Sequence, residues 1–174
     1  MRNILIILTM FSILSHASAD ELHKNHQLSI GAGVSKDNIG IFRIGIKNSF
    51  ETPYLHSKYG WLGGYYEFSF NYWKRAEVEI TGIATSPVFV YYIGDKSDYY
   101  LPYIEAGIGF SFISDRNIRT RDMSTNFNFE DRIGIGVKIE DIDLSARYMH
   151  YSNASIVNPN DGIDIFIFTL SSKF

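Results

Sequence analysis

Asn126-Phe127-Asn128-Phe129-Glu130-Asp131-Arg132-Ile133-Gly134-Ile135-Gly136-Val137-Lys138-Ile139 is the stretch that decides how this chain folds. Phe127, Phe129, Ile133, Ile135, Val137 and Ile139 hold odd positions, whereas Asn126, Asn128, Glu130, Arg132, Gly134, Gly136 and Lys138 hold even ones. Successive side chains of a strand point to opposite faces, so this segment reads as a strand with one apolar and one polar face. The chain ends in the same way, with Phe166, Phe168, Leu170 and Phe174 sharing a face. Working outward, eight strands are expected after Asp20: Gln27–Val34, Ile39–Lys47, Gly64–Trp73, Val78–Ile93, Tyr100–Ile113, Asn126–Ile139, Ile142–Ser152 and Ile163–Phe174. Helical spacing is not sustained beyond the N-terminal residues.

Those first residues have the layout of an export leader. Arg2 precedes an apolar run from Ile4 to Leu14, and Ala17-Ser18-Ala19 stands just before Asp20. Cleavage is expected after Ala19, leaving residues 20–174 as one domain. The apolar run is shorter than the roughly 20 residues a spanning helix needs. The chain has no cysteine, which removes disulfides and thiolate metal sites. A net charge of -3 gives no support to nucleic-acid binding.

Hydrophobic residues make up 45% of the chain, and its 12 Tyr and 13 Phe fall in alternating runs rather than one apolar block. Most of the expected strands reach the roughly 9–11 residues that a tilted strand needs to cross a bilayer. The expected fold is therefore all-β: an eight-stranded antiparallel transmembrane β-barrel of the outer membrane. A soluble barrel would turn its apolar face inwards, and alternation alone does not separate the two. Charge placement favours the membrane form. Glu105, Glu130, Arg132 and Arg147 fall on the face opposite the apolar one, where paired acids and arginines fill a narrow interior without leaving a pore.

With eight strands both termini lie in the periplasm, and the first, third, fifth and seventh connections face outside. Asn153–Asp161 is the seventh. Just before it, His150 and Ser152 share a strand face with Ile142, Leu144, Ala146 and Tyr148, at outer-leaflet height. A two-residue turn at Glu140-Asp141 sets Ile139 opposite Ile142 and therefore Asp131 opposite His150. Closing the loop Asn153–Asp161 sets Ser152 opposite Gly162 and His150 opposite Asp164. Paired residues carry Cβ atoms about 4.5–5.5 Å apart.

A nucleophile, a base and an acid can thus meet on one lipid-facing patch. The plainer alternative is a hydrogen-bonded strand end, and spacing alone favours it. An ionisable group facing lipid shifts the balance, because such groups are costly and usually functional. Asp131 is a rival or auxiliary acid. Asn153 and Asn160 flank the patch, either as amide donors to an oxyanion or as turn formers. Arg116, Arg119 and Arg121 lie in the third outside loop, as phosphate contacts or as a solvated loop. No cofactor or metal is required by this chemistry.

Ordered blocks of the chain resemble the lipid A 3-O-deacylase (PagL) family. They are Ser86-Pro87-Val88-Phe89-Val90-Tyr91, Ile104-Glu105-Ala106-Gly107-Ile108-Gly109 and Asn128-Phe129-Glu130-Asp131-Arg132-Ile133-Gly134. The likeness is strongest at His150-Tyr151-Ser152-Asn153-Ala154 and Pro159-Asn160-Asp161-Gly162-Ile163. It implies an outer-membrane barrel that hydrolyses the ester-linked acyl chain at the 3-position of lipid A. Ser152 is then the nucleophile and His150 the general base. Asp164 stands where the family typically has a glutamate, and Asn160 and Asn153 match its oxyanion region. The implied partners are lipid A or lipopolysaccharide and the outer membrane, with a homodimer left open and no nucleic acid. The competing functions are an outer-membrane phospholipase, a non-catalytic structural or adhesion barrel, and a soluble lipid carrier.

Overall fold

The computed structural model describes residues 26–174, so the expected leader, residues 1–19, lies outside the described residues. Eleven strands follow in order: β1 (His26–Ser35), β2 (Gly40–Ser49), β3 (Leu55–Ser57), β4 (Gly60–Arg75), β5 (Val78–Ile93), β6 (Tyr100–Ile113), β7 (Asn117–Ile118), β8 (Arg121–Asp122), β9 (Phe127–Ile139), β10 (Ile142–Ser152) and β11 (Ile163–Lys173). Eight of them form one antiparallel ring. The sheet runs β2-β1-β11-β10-β9-β6-β5-β4, and a further β2–β4 pairing closes it. Closure leaves no open edge among these eight strands, as a barrel in lipid requires because unpaired backbone groups have no water to bond there.

The third barrel strand begins at Gly60, earlier than the expected Gly64. The long connection before it is partly used by β3, which pairs back on β4 with Leu55 opposite Leu62. Trp61 stacks on Tyr92 of β5 with centroids 4.1 Å apart, extending the β4–β5 pair to that end. The turn at Glu140-Asp141 is as tight as expected, with Glu140 in the left-handed region at φ 53°.

Alternation places the side chains as expected for a membrane barrel. Ile104, Ile108, Ile133, Ile135, Phe168 and other large apolar groups are exposed on the outside. The interior is charged. Arg43 bonds Glu130 through two nitrogens (2.7 and 2.9 Å) and also reaches Glu67 at 3.3 Å. Arg132 bonds both Glu67 and Glu130. Arg147 contacts Glu105 at 2.6 Å as an ion pair without hydrogen-bond alignment, while Tyr65 donates to the other oxygen of that carboxylate. Buried charges are tolerable only when paired in this way. An apolar exterior around a charged core rules out the soluble carrier, which needs the reverse.

One end of the interior is closed differently. Ile39, Trp73, Met149, Tyr151 and Ile165 form an apolar cluster that also contains Ile118 and Met123 from the 114–126 connection, both fully buried. The small β7–β8 hairpin therefore folds over the mouth and stoppers it. In sequence this segment reads only as a loop whose arginines meet phosphate or solvent.

Candidate active site

The site lies where β10 and β11 reach the stoppered end. Two observed registers bring its groups together: His150 pairs with Asp164 across β10–β11, and with Asp131 across β10–β9. Both are the pairings expected from the turn lengths. His150, Ser152 and Asp164 share the outward parity of Tyr148 and Phe166, and the His150 side chain is 40% exposed.

His150 Nδ1 lies 2.7 Å from Asp164 Oδ1. A carboxylate only accepts, so Nδ1 is the donor, and in the neutral imidazole this leaves the lone pair on Nε2. The second oxygen, Oδ2, accepts from Lys36 Nζ at 2.5 Å, and the Lys36 backbone N–H donates to the Asp164 carbonyl at 3.1 Å. Lys36 was not singled out in the sequence. The hydrogen bond to Asp164 holds its ammonium above the ordinary lysine range.

Ser152 is buried, and its Oγ accepts a long bond from the Ala154 N–H at 3.5 Å. It does not bond His150 in this structure. The Asp131 carboxylate makes no hydrogen bond or ion pair among the described residues, but it stands beside His150 at the head of a surface groove of about 720 Å³. Pro87, Ala106 and Gly107 floor this groove, and Phe89, Ile133 and Tyr148 wall it. Its shape follows from these small residues and from Pro87, whose missing N–H interrupts the β5–β6 ladder at Ser86 and Pro87. A second apolar hollow of about 520 Å³ continues it, sharing Phe89, Ala106, Ile133 and Tyr148.

The two asparagines are placed differently from one another. Asn153 Nδ2 donates to Met123 O at 2.8 Å and Val157 O at 2.9 Å, so its amide braces the loop. Its backbone N–H donates to Asn160 Oδ1 at 2.9 Å. That bond sets Asn160 beside the peptide that follows Ser152, with its Nδ2 engaged only by a 3.5 Å contact to Ser155 Oγ. Of the pair, Asn160 is the one with a donor to offer.

Gly162 bounds the His150 ring from the other side. Its φ is 50°, and a Cβ built on it would lie 2.8 Å from His150 Cε1 and 3.1 Å from Nε2. Only a glycine gives both the left-handed turn and room for the ring. Arg121 fixes this glycine: it donates to Gly162 O at 2.8 Å and Asp161 O at 2.9 Å, and pairs with Asp37 at 2.5 Å. The hydrogen bond from Arg121 holds the Asp37 carboxyl below its ordinary range. Arg116 donates to Ser124 O, and Arg119 to Asp37 O at 3.3 Å. Arg119 and Arg121 thus tie the 114–126 connection to neighbouring loops, while Arg116 braces that connection from within.

Comparison with known proteins bears on what this arrangement does. The family model described as lipid A 3-O-deacylase (PagL) matches residues 40–173. A lipid A deacylase PagL of Pseudomonas aeruginosa is 32% identical over 167 residues, covering 93% of this chain and 92% of that protein. Another, from Bordetella bronchiseptica, is 31% identical over 124 residues, covering 71% of this chain and 62% of that protein. Among solved structures, a crystal structure of the outer membrane enzyme PagL is similar with a TM-score of 0.80 and 29% identity, over 85% of this chain and 99% of that one.

Proposed function

The chain belongs to the lipid A 3-O-deacylase (PagL) family, and from that premise we propose that this outer-membrane hydrolase removes the 3-position acyl chain of lipid A through Ser152, His150 and Asp164. The observation that carries the assignment of residues is the 2.7 Å bond from His150 Nδ1 to Asp164 Oδ1 on the face that also bears Ser152.

In this reading Ser152 Oγ attacks the ester carbonyl while His150 Nε2 takes its proton. Asp164 holds the imidazole in the required tautomer and stabilises its charged form. In that step the Ser152 side chain turns about its Cα–Cβ bond to bring Oγ to Nε2; catalytic hydrogen bonds often form only when substrate is bound. The Asn160 amide donates to the oxyanion of the tetrahedral intermediate. Collapse expels the sugar hydroxyl, which takes its proton from the imidazolium. Water, deprotonated by His150, then cleaves the acyl-enzyme and frees the fatty acid. The apolar groove beneath His150 receives the acyl chain, as its lining of Phe89, Ala106, Ile133 and Tyr148 suits. Asp131 is an auxiliary charge at its head.

Every group used comes from one copy of the chain, so a homodimer enters no step. The outer leaflet supplies lipopolysaccharide as substrate, and the leader proposed for residues 1–19 directs the barrel of residues 20–174 there. Purified chain incubated with lipid A and, separately, with phospholipid tests the reading: a freed 3-hydroxy fatty acid supports it, whereas lysophospholipid alone would assign a phospholipase.

A further inference from the structure

Asp164 is gripped from two sides. Its Oδ1 meets His150 Nδ1 at 2.7 Å, and its Oδ2 meets Lys36 Nζ at 2.5 Å. Lys36 comes just after β1, whose ladder with β11 runs as far as Ser35 opposite Ile165. Its backbone N–H continues that ladder by donating to the Asp164 carbonyl at 3.1 Å. The ammonium also donates to Tyr148 OH at 3.4 Å and lies 5.7 Å from the centre of that ring. Backbone and side chain of one residue therefore fix both ends of the acid.

We propose that Lys36 is a positioning residue that fixes the Asp164 carboxylate so that Oδ1 faces His150; the inference rests on Asp164 being the acid of the site. The terminal torsion of an aspartate is soft and nearly two-fold. Without the lysine, His150 and the Tyr148 hydroxyl would be its remaining partners; the carboxylate could turn between them, and the tautomer of His150 would be less well fixed. A second charged donor on Oδ2 blocks that turn. It also neutralises a carboxylate that would otherwise face the lipid boundary alone. The other cation nearby, Arg121, is occupied by Asp37 and by the carbonyls of Asp161 and Gly162.

The Lys36 side chain is 64% exposed. An exposed ion pair adds little to fold stability, so its contribution should be read in turnover rather than in unfolding. Electrophoretic heat-modifiability, which reports an intact barrel, is expected to be unchanged in Lys36→Met.

The test uses the full chain refolded in detergent, with lipid A as substrate. Lys36→Met is expected to lower kcat about tenfold with KM nearly unchanged, as loss of a charge-assisted bond does. Lys36→Arg restores most of the loss. In an Asp164→Ala background, Lys36→Met costs nothing further, because the residue it positions is gone. A raised KM with unchanged kcat in both backgrounds would overturn the proposal and make Lys36 a substrate contact. Wild-type kinetics in Lys36→Met, or a full additional loss on Asp164→Ala, would overturn it as well. If wild-type chain and Ser152→Ala are equally inactive on lipid A, the proposed function itself fails and takes this inference with it. Ser152-dependent release with no Lys36 effect defeats this inference alone.

Discussion

A Cβ at Gly162 would stand 2.8 Å from His150 Cε1, so the residue that ends the 153–162 loop is also the back wall of the imidazole's seat. The ring is thus confined by Gly162 on one side and oriented by Asp164 through Nδ1.

Gly162→Ala is expected to injure catalysis more than folding. The left-handed backbone adds only about 1 kcal/mol of strain for alanine. Displacing the base by an ångström costs on the order of 10²-fold in rate. Kinetics on lipid A beside heat-modifiability of the same sample separates the two; a variant with wild-type turnover would show that the ring tolerates the extra methyl.

The two candidate acids separate by contact. Asp164 bonds His150, while the Asp131 carboxylate, though opposite it in register, bonds nothing among the described residues. Asp164→Ala is expected to reduce kcat by roughly 10²–10⁴-fold, the range over which a triad acid acts. Asp131→Ala should cost less than about threefold, as expected when no bond to the base is removed. Equal losses in the two would remove the distinction.

The docking of three loops has a pH dependence of fixed sign. The Arg121 hydrogen bond holds the Asp37 carboxyl below its ordinary value of 3.8. A group depressed in the folded form stabilises it at pH above the free value, and that contribution is lost as pH falls through the depressed value. An NMR titration of the Asp37 carboxyl carbon in micelles should therefore show a midpoint below that of a free aspartate, returning towards it in Arg121→Gln. A midpoint at or above the free value in the unsubstituted chain would contradict the pairing.

The fold was legible in the sequence wherever alternation was strict and turns were short. Phe127–Ile139 and Ile142–Ser152 have the expected faces because one residue of slip would turn Glu130 and Arg147 into lipid. The tight Glu140-Asp141 turn fixed the Asp131 register, and closure of the 153–162 loop that of Asp164. Lys36 was not legible for a related reason. Its contact with Asp164 crosses the seam where the first strand meets the last, and no short turn in the chain sets that register. Ile118 and Met123 sit in a short, charged segment without a period, so nothing local marked them as the stopper of the barrel. Asn153 reads equally as turn former or oxyanion donor in sequence; only its bonds to Met123 O and Val157 O separate those roles.

On the proposed mechanism, Ser152 of this barrel cleaves the 3-position acyl ester of lipid A. Mass spectrometry of lipid A from cells expressing the chain or its Ser152→Ala form tests it most directly, with heat-modifiability showing that both barrels are folded. The expected result is loss of one 3-hydroxyacyl group with the unsubstituted chain and intact lipid A with Ser152→Ala. Identical lipid A from the two, with both proteins folded in the outer membrane, would contradict it.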